Sequence, residues 1–492
     1  MVFSSWEFVF LYLPIVFGVY FLLNRTRLVS TGKVWLVFAS LFFYSYWSIN
    51  YLPLLLGSIG FNFWVGGSFN RPELLKRLRF SPRGMLIFGI VCNLALLAYF
   101  KYANFLLDNI NLLLRTNYHL AAIALPLGIS FFTFTQIAYL VDSYGGKAKE
   151  YDIINYALFV TFFPHLIAGP ILHHEDMMSQ FKSKWTLAIR YRNILTGLFI
   201  FSVGLFKKAV LADTLAIWAN TGFDQSTASD FFSSWATSLA YSFQLYFDFS
   251  GYSDMAVGAG LLFNIWLPHN FNSPYKALSI QDFWRRWLIT LSTFLKQYLY
   301  IPLGGNRISE ARTYFNLFIT FLLGGLWHGA SWMFIAWGAL HGLALVVQRF
   351  WSKLNRPLPA PIAWLVTFAF VNVTWVFFRA TRWEDAMRIL KGMVNFSSIA
   401  NLPISNIPTQ NLQWAGPLAD RLLATLPVGF AANILCFIAI AISFVVITQK
   451  NSAELIKTPI TYPKVAIASA LFCIGMYCKL VNTSSVFLYF NF

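Results

Sequence analysis

From Tyr314 to Gln348 the chain reads YFNLFITFLLGGLWHGASWMFIAWGALHGLALVVQ, with two histidines and no Asp, Glu, Lys or Arg. A run that apolar belongs in lipid, and it exceeds the ~20 residues that one crossing takes. It therefore predicts two helices that meet near Gly324, Gly325, Gly329 and Ser331, where small residues let the backbone bend or approach a neighbour closely. His328 sits at that break. An ionisable side chain at membrane depth costs a few kcal/mol unless it faces a partner or a polar cavity, so His328 is the first candidate for a reactive residue. The alternative is a structural imidazole bonded to a backbone carbonyl at a helix join.

The rest of the chain fits that setting. Of its 492 residues 58% are hydrophobic and only 11% charged, too little surface charge to keep a soluble core of this size dispersed. The chain reads as an all-α polytopic membrane protein. Its aromatic share of 19% suits side chains in lipid and at the headgroup level. The net charge of +17 gathers in short loops, Arg25, Arg27 and Lys33 in one, Arg71, Lys76, Arg77, Arg79 and Arg83 in another. That is the positive-inside pattern, which places both loops in the cytoplasm and argues against a nucleic-acid partner. Cys92, Cys436, Cys473 and Cys478 lie in or beside apolar runs without metal spacing, so no metal site is expected.

Trp6–Leu23 lacks a basic leader and is followed by Asn24-Arg25-Thr26-Arg27 instead of a cleavage site, so it reads as a retained first span. Val34–Trp47 and Tyr51–Gly66 form a pair that returns the chain to the side it left. Apolar runs at 84–100, 119–141, 154–172, 193–206, 232–247, 253–267, 362–378, 430–448 and 463–478 bring the expectation to about a dozen membrane segments, some short or re-entrant. Residues 173–192 and 379–428 are the extramembrane stretches, neither long enough for a separate domain. The whole chain, 1–492, reads as one membrane domain.

A second constellation runs from Tyr246 to Arg307. YFDFSGYSDMA sets Asp248, Ser250, Tyr252, Ser253 and Asp254 between apolar runs, and two carboxylates there need partners. Arg285 and Arg286 are the natural candidates, flanked by Trp284 and Trp287. Arginine also grips phosphate through its planar fork, so one reading is a cytoplasmic cradle for a phosphate-bearing acyl donor such as a coenzyme A thioester. The other is a basic amphipathic helix lying flat on the membrane.

The motifs MVFSS at the start, KYANF at 101–105, LPLGISFFTF at 125–134, FFPHLIAGPI at 162–171, QLYFDFSGYSDMA at 244–256, FWRRW at 283–287, YLYIPLGGNR at 298–307, LLGGLWHG at 322–329, WGALHG at 337–342, WVFFRA at 375–380 and the terminal FLYFNF together resemble the membrane-bound O-acyltransferases, in the bacterial branch typified by the alginate O-acetylase. The resemblance spans nearly the whole chain. It implies a polytopic fold around a tunnel across the bilayer, with His328 at its centre. It also implies acetyl groups taken from a cytoplasmic donor, acetyl-CoA, and passed to an extracytoplasmic polysaccharide. Asp248, Ser250, Tyr252, Asp254, Trp284, Arg285, Arg286, Asn306, Trp327, His341 and His165 are the supporting or donor-binding candidates. Two positions depart from the pattern: the family commonly has His where this chain has Leu288, and Arg-Asp where it has Lys296-Gln297. His165, His269 or His341 could substitute for the missing histidine, or the donor could differ.

The chemistry can be stated without the family. Acyl transfer to a sugar hydroxyl needs that proton removed as the oxygen attacks, and a neutral imidazole suits the task. An apolar setting favours the uncharged ring. Whether His328 is base or covalent acyl carrier stays open at this level. The leading expectation is a multi-pass inner-membrane O-acetyltransferase with no permanently bound cofactor, serving an exported polysaccharide, alginate first, cellulose or peptidoglycan next. Its partners would be periplasmic acetyl-transfer proteins and polysaccharide export machinery. Transfer of D-alanyl or another acyl group to a cell-wall polymer is the nearest alternative. A secondary transporter is the reading from another class, against which LLGGLWHG has no matching broken helix elsewhere in the chain.

Overall fold

A computed structural model of the chain describes residues 1–121, 123–148, 150, 152–225, 228–400, 428–481 and 488. The Pro/Asn/Gln-rich passage after 400 and the terminal FLYFNF, apart from Leu488, lie outside the described residues. Every regular element among the described residues is helical. Six helices there are long and apolar enough to cross a membrane: Phe8–Arg25, Pro82–Leu114, Tyr191–Asp224, Trp332–Lys353, Ala360–Arg379 and Tyr462–Val481. Two shorter apolar helices are Val29–Ser45 and Ile434–Thr448.

The chain divides into two compact units, Met1–Phe201 with Ser253–His269, and Ser202–Tyr252 with Asn270–Phe492. In the first, helices are joined by buried amides. Asn62 and Asn93 exchange side-chain hydrogen bonds of 3.1 and 2.7 Å, and Gln136 Nε2 donates to Ser58 Oγ at 2.9 Å. Lipid offers no competing partner to such groups, so they serve as interhelical glue. The LPLGIS and FFPHLIAGPI motifs meet here: Gly128, at φ +71°, lies where a Cβ would stand 3.1 Å from the Ile167 carbonyl oxygen. That is a close approach at a positive φ, and it favours glycine.

In the second unit the apolar run breaks where expected. The helix Glu310–His328 ends on the histidine, Gly329 is extended, and Ser331 caps Trp332–Lys353 by accepting from Met333 N. The two helices are seamed by glycines. A Cβ on Gly325 would collide with the Phe334 carbonyl oxygen and stand 2.9 Å from Gly338 Cα, and one on Gly342 would stand 3.0 Å from the Phe318 carbonyl oxygen. At the start of the hairpin Glu310 receives hydrogen bonds from Arg349 and Lys353, which hold its carboxyl below the usual range.

Among the boundaries that differ from the sequence expectation, two concern polar residues inside a helix. The runs 232–247 and 253–267 are not separate spans, because one helix, Phe231–Leu262, carries DFSGYSDMA through its middle. The run 193–206 likewise continues through Lys207 and Lys208 to Asp224. Polar residues did not break either helix because Lys208, Asp213 and Asp248 are matched side chain to side chain. Close packing helps: a Cβ on Gly251 would stand 2.7 Å from the Gly204 carbonyl oxygen.

Candidate active site

His328 is buried, 4% exposed, at the last position of its helix. Rings wall it edge to face: Trp327 at 5.0 Å between centroids, Trp337 at 5.0 Å and 89°, Phe378 at 5.2 Å and 74°. Such perpendicular contacts set positive ring edges against negative faces. They also keep bulk water off the imidazole. Trp337 comes from the next helix and Phe378 from Ala360–Arg379, so three helices contribute to one box. Sequence reasoning singled out His328 and Trp327 but not Trp337 or Phe378. The WGALHG spacing held the signal, since Trp337 and His341 are four apart and share a helix face.

His341 is fully buried and lies 4.8 Å from Trp337, ring to ring. Trp284 Nε1 donates to its Nδ1 at 3.1 Å, and its Nε2 lies 3.0 Å from Thr374 Oγ1. Trp284 is thus a core donor, buried between Phe321 and Trp337. The arginines beside it face elsewhere. Arg285 is exposed, and Arg286 donates from Nε to Asp282 at 2.9 Å and from Nη1 to the Asn272 carbonyl at 3.4 Å.

The partner expected for Asp248 is corrected. Its carboxylate meets Lys208 Nζ at 2.6 Å, and Lys208 meets Asp213 at 2.7 Å; all three side chains are under 9% exposed. A π-helical turn, Lys207–Ala212, carries the lysine, and its wider pitch suits the five-residue spacing from Lys208 to Asp213. Asp248 Oδ2 also accepts from Leu488 N at 3.0 Å. The sequence gives no sign of this role for Lys208, because Lys207-Lys208 stands at the end of the apolar run 193–206 and resembles a helix end. Ser250 and Tyr252 are buried on the same helix. Asn306 is exposed on the turn after YLYIPLGG, a turn pinned by Asn316 Nδ2 bonds of 3.2 and 2.9 Å to the carbonyls of Leu303 and Gly305.

Leu288, in place of the family histidine, is buried at φ +43° between Ile280–Arg286 and Ile289–Leu295. A branched residue there costs roughly 1–2 kcal/mol and persists only where neighbours over-determine it. Asn270 supplies that constraint: its carbonyl accepts from Ile289 N at 3.0 Å, and its Oδ1 accepts from Thr290 N and Oγ1 at 3.2 and 2.6 Å. His165 and Asp254 belong to the first unit, both buried. His269 is also there and half-buried. The structure thus brings His328, Trp327, Trp284 and His341 into one aromatic cluster, and seats Asp248 in a separate charge cluster.

The model of the membrane-bound O-acyltransferase family matches residues 80–383. A peptidoglycan O-acetyltransferase of Helicobacter pylori is 47% identical, the alignment covering 100% of this chain and 98% of that one. A probable alginate O-acetylase of Pseudomonas aeruginosa is 43% identical over 81% of this chain and 76% of its own. A teichoic acid D-alanyltransferase of Bacillus subtilis is 28% identical over 50% of this chain and 66% of its own.

Proposed function

Because this chain belongs to the membrane-bound O-acyltransferase family and is a multi-pass membrane O-acetyltransferase, we propose that it moves acetyl groups from cytoplasmic acetyl-CoA across the inner membrane to an extracytoplasmic polysaccharide, with His328 at the point of transfer. The observation that carries this is the buried imidazole at the helix break, boxed by Trp327, Trp337 and Phe378. As base, His328 takes the proton of the acceptor hydroxyl while that oxygen bonds to the acyl carbon and the thiolate of the donor leaves. As acyl carrier, its ring nitrogen bonds the acyl carbon first and the hydroxyl displaces it. About a dozen membrane segments around a tunnel would give donor and acceptor access from opposite faces. Periplasmic acetyl-transfer proteins and export machinery are the partners this route needs.

Peptidoglycan stands ahead of alginate as acceptor, because the relative named for peptidoglycan aligns along the whole chain, whereas the relative named for alginate aligns over 81% of it. The test is His328→Ala in a strain lacking its own copy, with O-acetyl groups released by mild alkali from purified sacculi and, separately, from secreted polysaccharide. Removal of a base active in the transition state costs roughly 10²–10⁴-fold, so sacculus acetylation should vanish at normal protein abundance. Loss confined to secreted polysaccharide would reassign the acceptor. Activity within a few fold of wild type would remove His328 from the chemistry.

A further inference from the structure

The second imidazole of the cluster has its proton placed by its neighbours. An indole N–H only donates, so the His341 Nδ1 that accepts from Trp284 carries no proton. The neutral ring must then bear its proton on Nε2 and donate it to Thr374 Oγ1, whose own hydroxyl proton goes to the Val371 carbonyl at 2.9 Å. Each donor meets an acceptor along the line Trp284, His341, Thr374, Val371. The line ties together the helices Ile280–Arg286, Trp332–Lys353 and Ala360–Arg379. With both nitrogens engaged, His341 is not free to carry protons in place of the histidine missing at Leu288.

Its influence on the reaction runs through Trp337. That indole is 1% exposed and packed on several sides: by His341 at 4.8 Å, by Trp375, which stacks on it at 5.7 Å and 17°, and by Trp284 and Phe378 at 5.7 and 5.1 Å. It also meets the perpendicular ring of His328. We infer that His341 is a positioning residue: fixed as the Nε2–H tautomer between Trp284 and Thr374, it holds Trp337 in place, and Trp337 in turn presents the His328 ring in a single orientation. This rests on the reading of His328 as the reactive residue. Turning that imidazole through a few tens of degrees would spoil attack geometry without touching the donor, and misplacement on the scale of 1 Å can cost roughly 10²-fold in rate.

Thr374 allows the test without emptying the core. Thr374→Val keeps the shape and removes the hydroxyl, while Thr374→Ser keeps the hydroxyl and loses a methyl. The measurement is the rate of O-acetyl accumulation after induction, in sacculi and secreted polysaccharide, per molecule of protein by quantitative immunoblot, with the thermal midpoint of the detergent-purified chain as the folding control. Thr374→Val and His341→Phe should slow accumulation roughly 10²-fold per folded molecule, with Thr374→Ser near wild type. Combining His341→Phe with Trp337→Phe should not multiply the two losses, since both act on one ring. Wild-type rates in Thr374→Val and His341→Phe overturn the inference, as does a Thr374→Ser variant no better than the valine. His328→Ala is run alongside: its retention of activity would instead defeat the functional reading beneath.

Discussion

At the scale of single residues, charge and its satisfaction decide what each side chain can do. Lys208 sits between Asp213 and Asp248 with all three side chains almost fully buried, and removing one member of such a buried set leaves charges with no compensation. Lys208→Met should therefore cost about 3–5 kcal/mol, read as a large fall in thermal midpoint in detergent and in membrane abundance. A near-neutral result would show that water reaches the aspartates. Arg285 and Arg286 part company on the same reasoning. Arg286 is already committed to Asp282 and Asn272, whereas Arg285 is exposed and available to a phosphate. Arg285→Lys should raise the acetyl-CoA concentration needed for half-maximal transfer several-fold, because an ammonium lacks the guanidinium's bidentate fork. Arg77→Lys is the control. Equal responses at both positions would make Arg285 a headgroup contact only.

Elements explain what the sequence could and could not disclose. The break at Gly329 and the burial of His328 were legible, since a run without charge and too long for one crossing must turn at its small residues. The role of Trp284 was not. A tryptophan beside a pair of arginines looks interfacial, and only the partner helix, His341 more than fifty positions on, shows that its N–H points to a core acceptor. The partner of Asp248 was hidden for a like reason, because Lys208 lies forty residues upstream in a stretch whose lysines mimic a helix end. Local pattern reports a residue's neighbours along the chain, and long-range pairing decides these two. The glycine seam of the hairpin yields its own prediction. Gly325→Ala pushes a methyl into the Phe334 carbonyl and Gly338, an overpacking that costs about 1–3 kcal/mol. One turn from His328, it should depress acetylation per molecule well beyond the loss of abundance. Activity in proportion to abundance would show that the seam only stabilises.

For the whole molecule, loop charge distinguishes one face of the membrane from the other. The segment from Arg71 to Arg83 holds the short helix Pro72–Arg77 and a cluster of positive charge, which the positive-inside rule puts in the cytoplasm. Ser81 is a poor reporter there, since its hydroxyl caps Pro82–Leu114 by accepting from Gly84 N at 3.0 Å. Glu73, with its side chain 89% exposed, is better. In a background with the four native cysteines replaced, Glu73→Cys should resist a membrane-impermeant maleimide in intact cells and react once the membrane is opened. Labelling of intact cells would invert the orientation and move the donor to the other face.

His328 closes its helix three residues after the Gly325 contact that fixes the helix against its neighbour. Each added residue in an α-helix advances the chain ~1.5 Å and turns it by ~100°. One residue inserted between Gly325 and His328 would therefore swing the imidazole out of its box, whichever amino acid was added. The same insertion between Arg307 and Ser309, beyond the carbonyls that Asn316 holds, would fall among exposed residues and be absorbed there. In this stretch the chain is constrained by count as well as by composition, so length changes in functional relatives should collect outside the interval from glycine to histidine.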